Sequence, residues 1–356
     1  MSSKKTSATA QKSINLDHIY KILVCQLRQI GDVLLTTPSV ELLKKRFPEA
    51  QIHFLTEKKC LPVLENNPHI SKIWVIDKKK TNNLWKELKF YRQIAWKNFD
   101  LIVDFQQLPR CRWVVLFSRS KVKLTYPPPW YNRLLYTHWQ KPEPGYAARF
   151  KASILKPLGI SWQGNRPKIW LKEAELDRAK NFLAGQGVTK KNLLITIDPS
   201  HRRITRRWPA GHFAQLIHQA SQKWPNIKFL LLYGPGEKEL ALRILSQSQA
   251  EDFCILPEKM LSLREMAACI AHANLHLGNC SAPRHIAVAV NTPSLTILGA
   301  TSGAWTYPSA EHEHIQLGLS CQPCNQNTCA NPRCLEDLKP EVVLKALEKK
   351  LENLVP

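Results

Sequence analysis

No stretch of this chain is apolar for long enough to cross a bilayer. Its apolar runs, such as residues 229–233 and 286–290 of five residues each, are far shorter than the roughly 20 that a spanning helix requires. Residues 1–13 are polar and basic and contain no apolar segment of the kind that directs secretion. No repeat recurs at a fixed period, and no nucleic-acid-binding module is recognisable. Negative charge is scarce: 28 Asp and Glu stand against 51 Lys and Arg, a formal net charge of +23. These absences lead us to expect a cytoplasmic protein with a disordered basic tail over residues 1–18, whose ten cysteines stay reduced.

What is present is an ordinary globular composition, 44% apolar and 22% charged, over 356 residues. That length suits two domains, each with a full core. Positive charge is uneven. Residues 1–160 hold 28 Lys and Arg against 11 Asp and Glu, a net of +17; residues 161–356 hold 23 against 17, a net of +6. The excess on one half suits an anionic partner such as nucleic acid, an acidic membrane surface or a phosphorylated glycolipid. The plainer reading is a solvated, lysine-rich surface.

Apolar runs at residues 21–26, 51–56, 72–76 and 101–105 read as buried strands, with helical patterns between some of them. Residues 32–46 read as one helix with basic residues in its last turn. A second series of strands runs through residues 193–197, 228–233, 253–256, 275–277 and 294–298, with helices near 210–223 and 237–246 and another from 283. This alternation predicts parallel α/β sheets. The join falls in residues 160–190, where a helix over 174–184 runs into Gly185-Gln186-Gly187. Residues 340–354 form an amphipathic helix able to pack on either half, and residues 126–145 read as a long irregular loop rich in proline and aromatics.

Two loops about 250 residues apart carry the chemistry. Gly31-Asp32 follows the first strand, and Gly278-Asn279-Cys280-Ser281-Ala282-Pro283-Arg284-His285 follows a late one. Ligands of open α/β sheets bind at the carboxyl ends of strands, and helix N-termini hold phosphate. Two such loops in two halves predict a cleft between domains. Asp32 suits a general base on a bound hydroxyl, and equally an ordinary helix cap. Arg202, Arg203, Arg206 and Arg207, with Ser200, His201 and Thr205 among them, suit a diphosphate. The turn Tyr233-Gly234-Pro235-Gly236-Glu237 lets backbone approach a ligand. Ser281 and the amides after it suit phosphate, with His285 adding a hydrogen-bond donor. Cys321, Cys324, Cys329 and Cys334 offer thiolates for zinc or an iron–sulfur cluster. Their spacing matches no standard zinc template, and cysteines also serve as small packing residues, so no metal is expected.

Together these residues resemble glycosyltransferase family 9, the ADP-heptose:lipopolysaccharide heptosyltransferases. The resemblance runs from Lys21 to the last helix. It is carried by residues 28–38 (RQIGDVLLTTP), Asp104-Phe105-Gln106, Arg206-Arg207-Trp208-Pro209, Gly234-Pro235-Gly236-Glu237, residues 278–285 and the cysteine-rich segment. It implies an α/β GT-B fold, two facing Rossmann-like domains with parallel sheets and a cleft between them. Residues 19–175 would take the lipid-linked acceptor and residues 176–338 the nucleotide sugar, with a C-terminal helix over 339–356. It also implies metal-independent, inverting transfer of heptose from ADP-heptose to the inner core of lipopolysaccharide, with no cofactor.

On the same resemblance, the catalytic base falls on Asp32 and the phosphate-binding cation on Arg206. The nucleotide-sugar contacts fall on Ser200, His201, Arg202, Glu237, Cys280, Ser281, Ala282 and His285, and the acceptor contacts on Arg28, Gln106 and Arg110. The expected partners are an ADP-sugar, a phosphorylated lipopolysaccharide-core acceptor and the inner leaflet, which the +17 half would meet. No nucleic acid is expected, and the protein would be a monomer peripherally associated with the inner membrane. The chain departs from the family's Asn-Asp-Ser-Gly at Cys280 and Ala282, has Arg for Lys at 206 and adds a cation at Arg284. These departures keep two alternatives open: a different nucleotide-sugar donor, and an inactive homologue that binds glycolipid or a partner protein.

Overall fold

Runs such as Ile22-Leu23-Val24 and Leu101-Ile102-Val103 leave nothing polar for water, and they are buried on both faces as a parallel sheet requires. The computed structural model describes residues 14–77 and 83–352, so most of the expected basic tail lies outside the described residues. In chain order the first half comprises β1 (Lys21–Cys25), α1 (Ile30–Leu34), α2 (Thr37–Arg46), β2 (Gln51–Glu57), β3 (Lys72–Ile76), α3 (Leu84–Ala95), β4 (Leu101–Asp104), α4 (Pro109–Phe117), β5 (Val122–Thr125), β6 (His138–Trp139) and α5 (Ala147–Ala152). Its sheet has the order β3-β2-β1-β4-β5-β6, parallel throughout.

The second half comprises α6 (Glu173–Gly185), β7 (Leu193–Asp198), α7 (Ala210–Lys223), β8 (Ile227–Leu231), α8 (Lys238–Ser248), β9 (Cys254–Ile255), α9 (Leu263–Ala271), β10 (Leu275–Asn279), α10 (Ala282–Ala289), β11 (Ser294–Ile297), β12 (His312–Ile315), α11 (Arg333–Glu336) and α12 (Pro340–Glu352). Its sheet, β12-β11-β10-β7-β8-β9, repeats the order of the first when counted from its own first strand. Each half is therefore a doubly wound domain with one switch point, between β1 and β4 in the first and between β7 and β10 in the second.

Some expected boundaries move. The helix expected over 32–46 is two helices, α1 and α2. Pro38 lies in the first turn of α2, where it has no N–H to give the carbonyl of Leu34. The Thr37 hydroxyl donates to that carbonyl instead, at 2.8 Å, and the Thr36 hydroxyl donates to the carbonyl of Asp32. The proline-rich loop is not wholly irregular: it holds a 3-10 turn, Trp130–Leu135, and the short edge strand β6. The division expected at 175/176 falls inside α6, which is held to α9 by Arg264 gripping Glu175 at 2.6 and 2.7 Å. The last helix, α12, packs on the second domain, where Val343, Leu347 and Leu351 join the core of Phe213 and Leu216.

Candidate active site

The carboxyl ends of the two sheets face one another across a cleft of about 710 Å³. The first domain contributes residues 29–32, and the second contributes the loops after β7, β8 and β10. Asp32, Arg206, Ser200, His201, Arg202, Glu237, Cys280, Ser281, Ala282 and His285 all line it, so sequence reasoning gathered residues that the fold brings together. At the cleft the N-terminal turns of α1 and α10 are in contact. A Cβ on Gly31 would sit 3.1 Å from the ring of His285, so glycine lets the helices close to that distance. The His285 ring is buried, and burial, with Arg284 beside it, holds its pKa well below the usual range. It therefore stays a neutral hydrogen-bonding group rather than a cation.

Asp32 occupies the first turn of α1, where helix amides favour a carboxylate. The Gln29 amide donates to its Oδ2 at 3.4 Å. Its Oδ1 faces Lys151 of α5, whose Nζ lies 3.4 Å away. Lys151 is buried, and its ammonium also donates to Gln26 Oε1 at 3.0 Å. Burial pushes the pKa of Lys151 down, while the Asp32 charge pulls it back up. No sequence signal marked Lys151.

On the second domain, Asp198 ends β7 and is buried beneath the loops. The Ser281 hydroxyl donates to it, and the Ser200 hydroxyl lies 3.3 Å from its Oδ1. Ser200 also donates to Glu237 at 2.6 Å, and the Gly234 amide donates to the same carboxylate at 2.8 Å. Burial raises the Asp198 pKa to about 7, with the Glu237 charge adding to it against the Ser281 hydrogen bond. Gly278 is required here because a Cβ would lie 2.7 Å from the Asp198 carbonyl oxygen. Asn279 ties the two ligand loops together, its Oδ1 accepting the Trp208 amide at 2.9 Å.

Arg202, Arg203 and Arg206 are the cations that line the cleft, and Arg284 is buried behind Cys280; neither Arg206 nor Arg284 has a carboxylate within ion-pairing distance among the described residues. Arg206 is partly buried, with burial lowering its pKa, and its Nε has no partner. Arg284 is buried to 3% exposure; one Nη donates to Cys280 Sγ at 3.3 Å and the other has no partner. The Arg206 guanidinium, with Arg202 and Arg203 beside it in the loop after β7 and no carboxylate paired to it, makes this lining anion-seeking. His201 lies beside them, its pKa lowered to about 4 by burial, and it accepts the Arg203 amide at 2.9 Å.

Residues expected to hold the acceptor lie outside the lining of this cleft. Gln106 Oε1 accepts the amides of Leu27 and Arg28 at 2.9 and 3.2 Å, so it braces the loop before Asp32. Arg110 pairs with Glu87 at 2.8 Å and reaches Glu57 at 3.9 Å, while Arg28 is exposed. Cys321, Cys324 and Cys329 are exposed and Cys334 half-buried; among the described residues no group of His, Cys, Asp or Glu is arranged to hold a metal ion. Their segment docks on the cleft edge through the Thr205 hydroxyl, which donates to the Gln326 carbonyl at 2.9 Å. Among the described residues no helix is long and apolar enough to cross a membrane.

Residues 87–335 match Glycosyltransferase family 9 (heptosyltransferase). The chain is 28% identical to lipopolysaccharide heptosyltransferase 3 of Escherichia coli K12 over 346 residues, 93% of this chain and 98% of the relative. It is also 28% identical to a lipooligosaccharide heptosyltransferase 2 of Campylobacter jejuni, over 92% of this chain and 98% of that one. A glycosyl transferase family 9 structure from Veillonella parvula superposes with a TM-score of 0.83 at 23% identity, covering 96% of this chain and all of that one. The Escherichia coli ADP-heptose lps heptosyltransferase II superposes with a TM-score of 0.76 at 18% identity, covering 94% and 99%. The two doubly wound domains and the cleft between them are the GT-B arrangement.

Proposed function

Because the chain belongs to glycosyltransferase family 9 and is a glycosyltransferase, we propose that it transfers heptose from ADP-heptose to the inner core of lipopolysaccharide, with inversion and without a metal. The observation that carries this reading is that Asp32 and Arg206, on different domains, line one cleft. Single-step inversion needs a base behind the acceptor hydroxyl and positive charge at the departing diphosphate. In this reading Asp32 takes the hydroxyl proton as the acceptor oxygen bonds to the anomeric carbon. The bond from that carbon to the diphosphate breaks, and its electrons leave on the phosphate. Arg206 and the amides at the start of α10 stabilise that growing charge. In this reading Glu237, held by Ser200 and the Gly234 amide, binds the nucleotide sugar together with Ser281 and His285. Arg28, Gln106 and Arg110 would meet or shape the acceptor, and the basic first domain would face the phosphorylated core at the inner leaflet.

The test is transfer from ADP-heptose to heptose-deficient lipopolysaccharide, with Asp32→Ala as control. Turnover by the parent that the variant loses supports the reading; equal turnover by both removes Asp32 as the base. One observation favours a second reading. Cys280 with a buried Arg284 behind it stands where the family's carboxylate would meet a neutral sugar, which favours a donor sugar other than heptose. ADP binding with no turnover of ADP-heptose supports that alternative.

A further inference from the structure

Eight of the fifteen large apolar side chains left exposed among the described residues fall within residues 84–134. On α3, Trp85 and Trp96 lie on one helical face with Lys89 and Arg92, at positions i, i+4, i+7 and i+11, opposite the buried Tyr91, Ile94 and Ala95. Trp85 is 79% exposed, and the Arg92 guanidinium lies over the Trp96 ring at 4.1 Å. On α4, Trp113 and Leu116 face outward. The two helices share one core with Leu23 and Ile102 beneath them, so their outer faces form a single surface. Arg112 donates to Asn132 at 2.9 Å and fixes the 3-10 turn beside α4. That turn presents Trp130 at 80%, Tyr131 at 61% and Leu134 fully exposed.

The charge on this surface has one sign. Residues 84–135 hold ten Lys and Arg against three Asp and Glu. None of the three faces out: Asp104 is buried, Glu87 is held by Arg110, and Asp100 accepts the amides of Tyr20 and Lys21. Tryptophan and tyrosine interleaved with lysine and arginine is the composition of a membrane–water boundary, where rings sit at headgroup depth and cations meet anionic lipid. An interface between protein copies is instead depleted of lysine at its centre.

We propose that the outer face of α3 and α4, with the turn Trp130–Leu135, docks the protein onto an anionic bilayer. This deepens the functional reading above and rests on it only for the choice of a lipid surface over a second copy of the chain. The turn follows β5 and α4 follows β4, at the same sheet edge as Asp32. Docking there brings the cleft mouth to the membrane, where a lipid-linked acceptor is held.

Vesicle cosedimentation of the full chain tests this, using phosphatidylethanolamine with phosphatidylglycerol against pure phosphatidylcholine. The expected result is binding to the anionic vesicles that weakens with salt. Trp130→Ser with Leu134→Ser should weaken it roughly tenfold or more, the worth of withdrawing large apolar side chains from lipid. Lys89→Ala should weaken it about fivefold. Tm and turnover on a deacylated, water-soluble acceptor should stay at parental values in these variants. Parental vesicle binding by the serine variant overturns the proposal. So does a parental dimer in solution that the serine variant dissolves, which would assign the face to a second copy. Loss of turnover on the soluble acceptor by the parent itself instead counts against the transferase reading and leaves the vesicle result to decide this one.

Discussion

The ammonium of Lys151 stands 3.4 Å from Asp32 Oδ1 and 3.0 Å from the side-chain oxygen of Gln26. Asp32 is one-third exposed and lines the cleft, whereas Lys151 is buried, so one carboxylate oxygen is held from inside by the ammonium while the other accepts the Gln29 amide. A buried cation whose pKa is already pushed down by burial depends on Asp32 for its charge. Lys151 is thus a positioning residue for the proposed base. Lys151→Met should lower kcat by roughly 10–100-fold, in line with losing an orienting partner. The acid limb of the rate profile should move to higher pH, and Lys151→Arg should recover part of the rate. ADP affinity, measured by calorimetry, should hold its parental value. An unmoved pH profile would reduce Lys151 to packing.

Arg206 carries the other half of the proposed chemistry. Its guanidinium is partly buried and lacks a carboxylate among the described residues, so nothing offsets its charge before a diphosphate arrives. Arg206→Ala should cost roughly 10²–10³ in kcat, the worth of one preorganised group at a developing anion. Arg206→Lys should retain an intermediate rate, keeping the charge while losing the fork. Single-turnover measurements at saturating donor separate this loss from weaker binding.

How much of this was legible in the sequence follows from which forces act locally. The strands were legible because runs such as Ile102-Val103 are apolar on both faces. The ligand loops were legible because glycine, serine and arginine gather after strands for reasons of backbone approach and charge. The break between α1 and α2 is marked in the sequence by Pro38 alone, while the apolar spacing continues through it. Lys151 was out of reach because it lies 125 positions from its partner Gln26 and resembles any other lysine until the fold buries it. The side on which α12 packs was also a tertiary matter, decided by Val343 and Leu347 meeting Phe213.

Asp198 should make nucleotide binding depend on pH. Burial raises its pKa from 3.8 to about 7 in the folded protein, so between those values the folded chain holds a proton that the unfolded chain has released. The stability linked to this group is present in full below about pH 4 and is lost as pH rises toward 7. A neutral Asp198 also spares an incoming diphosphate a nearby negative charge. ADP affinity should therefore fall roughly tenfold between about pH 6 and 8, and Asp198→Asn should flatten that dependence. An equally steep fall in the asparagine variant would assign the titration elsewhere.

Arg284 gives the sharpest test of what the unusual loop does. Its guanidinium is buried at 3% exposure; among the described residues its hydrogen-bonding side-chain partner is the Cys280 sulfur, and one Nη has none. A buried charge without a counter-charge is costly, and supplying one recovers part of that cost. Cys280→Asp places a carboxylate at the position the guanidinium already addresses, 3.3 Å from the sulfur it replaces. The variant should therefore melt higher by about 2 °C or more, a gain near 1 kcal/mol for a domain of this size. With the cation neutralised and an acceptor oxygen at position 280, where the proposed reading puts the donor sugar, discrimination should shift toward neutral, hydroxyl-rich donor sugars. Competition between ADP-heptose and nucleotide sugars bearing a carboxylate reads this as a ratio of kcat/KM. If Tm rises and the ratio moves toward heptose, Arg284 sets donor choice in the parent. If Tm rises and the ratio is unchanged, Cys280 and Arg284 serve the packing of α10 against the first domain, and donor choice resides in the loops after β7 and β8.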